Sequence, residues 1–68
     1  MKKLIIPYHD FNIFEVKMGL RIIHKISGLD VIERGKDKDI IEENAWKEMK
    51  RKLSVYYNAS IIINGKMG

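Results

Sequence analysis

The chain contains no cysteine, and at 68 residues that narrows the ways it can be stabilised. A domain this short buries only about 60% of the surface its unfolded chain exposes, so its hydrophobic core is marginal. Small proteins of this size lean on disulfides, a bound metal or a partner. Without cysteine, disulfides and thiolate zinc sites are both excluded. Self-association is the compensation that remains, and a homo-oligomer is expected.

One domain over 1–68 is expected from the length. No apolar run approaches the ~20 residues of a membrane span, and Leu4-Ile5-Ile6 is too short for a secretory core. The chain therefore reads as soluble and cytoplasmic, with no membrane partner. Lys and Arg number 13 against 9 Asp and Glu, a net charge of +4. That balance favours polyanionic partners through long-range attraction.

Leu4-Ile5-Ile6, ended by Pro7, reads as a buried strand. The segment from Phe11 to Gly28 carries two competing patterns. Phe14, Val16, Met18, Leu20 and Ile22 alternate with polar residues or glycine, the period of a half-buried strand. Asn12 and Glu15 nevertheless have the spacing of a capping box, with Phe11 and Val16 as a hydrophobic staple. Ser27-Gly28 would close a helix, with His24 and Lys25 as cations in its last turn. These boundaries predict a helix from about Ile13 to Ile26, apolar around much of its circumference; a β-meander is the alternative.

Leu29 to Glu33 reads as a second strand, and residues 34–38 as a polar loop. A long helix follows from about Asp39 to Tyr57. Its stripe is Ile41, Ala45, Met49, Leu53 and Tyr56, widened by Trp46 and Tyr57. Ser60 to Asn64 forms a last strand. The class is mixed α+β, arranged as βαβαβ with a three-stranded parallel sheet and two helices. The other arrangement is a β-meander followed by one long helix and a C-terminal strand.

In an open parallel sheet, ligands bind outside the carboxyl ends of the strands. That edge would gather His9 and Asp10, then Arg34, Gly35 and Lys36, then Asn64 and Lys66. Three cations, a glycine and a following helix N-terminus suit a phosphate-bearing ligand. His9 beside Asp10 also suggests a general base or a metal site. Neighbours in sequence point in different directions, however, and no third ligand is set by spacing, so no metal is expected. No serine is placed as a nucleophile and no phosphate-binding loop of the Gly-x-x-x-x-Gly-Lys type occurs, so neither catalysis nor a cofactor is expected. Lys47, Lys50 and Arg51 share the polar side of the long helix and would serve a nucleic-acid-binding face. Glu43–Lys47 and Glu48–Lys52 are spaced as i,i+4 pairs, so helix stabilisation accounts for most of that charge. Trp46, Tyr56 and Tyr57 suit core packing better than base stacking.

From Met1 to about Tyr57 the chain resembles the SLOG superfamily, the Rossmann-like nucleotide-binding group that includes the Smf/DprA and LOG families. Residues 4–11, Leu-Ile-Ile-Pro-Tyr-His-Asp-Phe, look like that group's first strand and turn. Asp30-Val31-Ile32 and the loop from Arg34 to Asp39 lie where the group has its second strand and glycine-rich phosphate loop. The resemblance implies nucleotide contacts from Asp10, Gly35 and their neighbours. Tyr8 and His9 depart from the small residue and arginine of that pattern, and only Gly35 remains of its glycines.

Three functional expectations follow. The first is a non-catalytic protein binding a nucleotide or other phosphate-bearing ligand at the sheet edge. The second is a protein-interaction module or inhibitor of the kind viruses and mobile elements encode. The third is nucleic-acid binding through the basic helix face.

Overall fold

The computed structural model describes residues 2–65. Its elements are β1 (Lys3–Pro7), a 3-10 turn (Tyr8–Asp10), β2 (Phe11–Val16), β3 (Gly19–His24), β4 (Asp30–Arg34), α1 (Lys38–Tyr57) and β5 (Ser60–Asn64). The mixed α+β class holds. Of the two arrangements, the molecule takes the meander followed by one long helix and a C-terminal strand.

The helix expected over 13–26 is a hairpin instead. Phe11 pairs with His24, Ile13 with Ile22 and Val16 with Gly19, and β3 then pairs antiparallel with β4. The period-2 alternation was the strand signal, but its apolar set divides across the hairpin: Leu20 and Ile22 meet the core, while Phe14 and Val16 turn to the other face. The apparent helix end is a real turn of another element. Gly28 has φ 77°, and its N–H bonds the His24 carbonyl at 2.8 Å in the β3–β4 turn. At the other turn Met18 takes φ 58°, and Gly19 is needed for space. A Cβ there would collide with the Glu33 carbonyl oxygen of β4.

β1 and β5 form a separate two-stranded parallel sheet, with Leu4 opposite Ile61 and Ile6 opposite Ile63. The expected parallel pairing of the first and last strands is therefore present. The single three-stranded parallel sheet is not, because the hairpin supplies its own antiparallel partners.

α1 begins at its N-cap Asp37, whose carboxylate accepts from the Asp39 and Ile40 N–H groups at 2.9 and 3.3 Å. It ends where Asn58 turns left-handed, at φ 51° and ψ 52°. Its buried side chains are Ile41, Ala45, Trp46, Met49 and Leu53, at the i, i+4 spacing that puts them on one face. Tyr56, expected in this stripe, is exposed. This face packs against β3, β4 and β5. Ile6, Phe11, Ile22, Val31 and Ile61 complete the core. Phe11 meets Trp46 edge-on at 5.0 Å between ring centroids, and Tyr8 reaches Trp46 at 5.6 Å.

The two turn positions make opposite predictions. Gly19→Ala is expected to cost about 2–4 kcal/mol, since β3 or β4 must shift to admit the methyl. Met18→Gly is expected to gain about 1 kcal/mol by relieving a left-handed backbone. Denaturant unfolding of both variants checks this pair.

Candidate functional site

The topology divides the expected ligand site. Asp10 lies at the end of the meander where the Lys25 N–H bonds its carbonyl at 2.9 Å. Asn64, opposite Pro7 on the parallel ribbon, shares that neighbourhood, as does Gly65, whose added Cβ would lie 3.8 Å from Tyr8 Cβ. Arg34 pairs with Gly19 at the other end of the meander, and the Gly35 N–H bonds the Met18 carbonyl there at 2.9 Å. β4 runs away from the Asp10 end, so Arg34, Gly35 and Lys36 do not join His9, Asp10 and Asn64. Lys66 lies outside the described residues.

Each half has a local occupation. His9 is exposed, with Nε2 3.6 Å from Asp10 Oδ1. Among the described residues, no group of three or more His, Asp or Glu could hold a metal ion. Near Lys36, the Asp39 and Ile40 amides that a phosphate would use already donate to Asp37, and the Ile41 amide donates to the Asp37 carbonyl at 3.0 Å. Lys36 instead lines a shallow groove of about 470 Å³ shared by Val16, Met18, Leu20 and Ile41.

The basic helix face is also redistributed. The Glu48 carboxylate accepts from Arg51 Nε and Nη2, at 3.0 and 2.7 Å, and not from Lys52. Lys52 reaches the Asp30 carbonyl at 2.9 Å. Lys47 and Lys50 are exposed and border a shallow depression with Glu43 and Trp46.

The structure brings together a surface that neither the helix stripe nor the loops predicted. With Ile22 and His24 facing α1, strand alternation turns Asn12, Phe14, Val16, Gly19, Arg21, Ile23, Asp30, Ile32 and Arg34 to the opposite side. One cross-strand row reads Phe14, Arg21, Ile32. Phe14 and Ile32 are each 48% exposed. Between the apolar positions, Arg21 Nε lies 3.0 Å from both Asp30 carboxylate oxygens. The guanidinium beside it holds the Asp30 carboxyl below its usual range, chiefly by hydrogen bonding. The pair keeps its own hydrogen bonds under a contacting surface, which lowers the cost of covering it. Reading 11–22 as a strand pair would have found this face, because Phe14 and Val16 are out of phase with the buried Phe11 and Ile22.

His24, expected as an exposed cation in a helix, is a core residue with 1% of its surface exposed. Its ring lies 5.0 Å from Phe11 and 6.3 Å from Tyr57, centroid to centroid. Nδ1 accepts from the Ser27 N–H at 3.3 Å and lies 2.7 Å from Ser27 Oγ. That network assigns the proton to Nε2, which is buried without a partner among the described residues. Burial lowers the His24 pKa, and the charge of Asp10 opposes the shift only in part.

Comparison with protein-family models, with curated proteins and with solved structures finds no match to this chain.

The unfolded chain takes up a proton on His24 at about pH 6.5, and the folded chain only at lower pH. The stability that the neutral ring contributes is complete above that value and is lost as pH falls through the folded pKa. The denaturation midpoint is therefore expected to drop from about pH 7 to about pH 5, and His24→Phe to flatten the change. Urea titrations across that window measure both.

Proposed function

We propose that this chain is a non-catalytic protein-interaction module whose partner seats on the outer side of β2–β3–β4. The observation that carries the reading is the row of Phe14 and Ile32 on either side of Arg21, its charge already matched by Asp30. An aromatic and a branched aliphatic residue are the kind of anchors that protein interfaces bury at their centres. Val16 and Ile23 extend the apolar area, and Asn12 and Arg34 give it a polar margin. Antiparallel sheets that leave one face to water usually make that face polar. Here four of the nine outward positions are apolar, which favours a face meant to be covered. The face presents side chains for packing and no nucleophile, so binding accounts for it without a reaction. An inhibitor of a larger protein is one form such a module takes.

Polyanion binding through Lys47 and Lys50 is the second reading. It draws support from their exposure on one side of α1, while Arg51 is engaged by Glu48.

A photo-crosslinking amino acid at position 14, introduced in the cell that makes the protein, tests the first reading. The expected result is a discrete heterologous adduct that Ile32→Asp abolishes and that the same probe at position 47 does not form. Equal or absent adducts at positions 14 and 47 would remove the reading. An RNA or DNA adduct specific to position 47 would favour the second.

A further inference from the structure

The free edge of β2 carries open main-chain groups and neither a lysine nor a proline to guard them. Antiparallel pairs alternate between bonded and non-bonded. The bond from the Lys25 N–H to the Asp10 carbonyl sets the phase. Asn12, Phe14 and Val16 therefore bond β3, while Phe11, Ile13 and Glu15 turn their main-chain groups outward. The Phe11 N–H is already used by the Tyr8 carbonyl. The open set is thus the Phe11 carbonyl together with Ile13 and Glu15, each of which has one donor and one acceptor.

Two of the other edges, those of β1 and β4, are treated differently. β1 carries Lys3 at one end and Pro7 at the other, two devices that discourage strand addition. On β4, the outward carbonyl of Asp30 is taken by Lys52 Nζ. β2 has six residues, no proline and no cation, and Asn12 to Glu15 are all exposed. Ile13, on the helix side, remains 38% exposed because α1 lies over β3 and β4.

We propose that two copies of this chain pair antiparallel through their β2 edges, about a two-fold axis that passes between their Phe14 residues. The result is one continuous six-stranded sheet. In this register Ile13 of each copy exchanges both main-chain bonds with Glu15 of the other, so four bonds use every open group of those two residues. Phe14 meets the second copy's Phe14 as a non-bonded pair, the arrangement in which cross-strand side chains are closest. Asn12 lies opposite Val16. Glu15, the strand's one charge, lies opposite Ile13 and not opposite its own counterpart. A strand edge is complementary to its own copy in this way only when its open groups and charges satisfy the same two-fold, and those of β2 do. The dimer leaves the outer face of the sheet open, so it stands or falls independently of the interaction-face reading.

Sedimentation equilibrium from micromolar to near-millimolar protein tests the proposal. The mass is expected to rise from 8.0 kDa to twice that value. A synthetic chain N-methylated at Ile13 loses one outward donor and no bond to β3, and it is expected to stay at 8.0 kDa while keeping its circular dichroism. Because the chain has no cysteine, Phe14→Cys gives a clean second readout. It should oxidise to a covalent dimer at least tenfold faster than Ile32→Cys. A wild-type mass of 8.0 kDa throughout, an N-methylated chain that dimerises like the wild type, or equal oxidation rates would each overturn the proposal.

Discussion

A single helix has to supply the apolar surface for two separate sheets. α1 is 20 residues long, so it spans about 30 Å, but it is only about 10 Å across. Strands lie about 4.8 Å apart, so a helix that wide covers roughly two of them. In this molecule it covers β3 and β4 on one side and meets β5 on another. β2, the outer strand of the meander, then lies largely beyond its reach. That is why Ile13 on β2 stays partly open. Ile5 on β1 is exposed for another reason: strand alternation turns it, with its partner Ile62, away from the side on which Ile6 and Ile61 are buried. Neither disulfide nor metal makes up the shortfall among the described residues. The surfaces assigned to binding are those the one helix leaves over.

Aromatic contacts join the two halves where the helix alone would not. Trp46 stands between Tyr8, which follows β1, and Phe11, which begins β2. Phe11 in turn packs on His24, and His24 on Tyr57 near the end of α1. The chain of rings therefore ties the ribbon, the meander and both halves of the helix around one short 3-10 turn. A histidine is a vulnerable member of such a set, since its protonated form needs partners that Phe11 and Tyr57 do not offer. Stability and acid sensitivity come from the same contact.

Much of this was legible in the sequence. The long helix, its buried positions from Ile41 to Leu53, the strand after Gly28 and the parallel meeting of the two isoleucine-rich ends were all accessible from periodicity and turn residues. The segment 11–26 was not, because its local signals conflict with its tertiary role. Asn12 and Glu15 have capping spacing, yet they face opposite sides of a strand. Ser27-Gly28 does form a tight turn with a left-handed glycine, a feature that a helix end and a strand turn share. The decisive residue is Gly19, whose necessity shows only when β4 brings the Glu33 carbonyl against it. The expected ligand edge failed for the same reason. Replacing a crossover helix by a hairpin reverses which end of the sheet Arg34 reaches. It also turns Phe14 and Ile32 from the flank of a helix into neighbours on one face.

One helix shields the inner sides of β3, β4 and β5 and leaves the outer strand β2 partly open. The most direct measurement is relaxation of isoleucine methyl signals by a soluble paramagnetic chelate, in protein dilute enough to be monomeric. The methyls of Ile5, Ile13, Ile32 and Ile62 are expected to broaden strongly, while those of Ile6, Ile22 and Ile61 stay sharp. Ile13 as well shielded as Ile22 in the dilute protein would contradict the account, because something other than α1 would then have to cover β2.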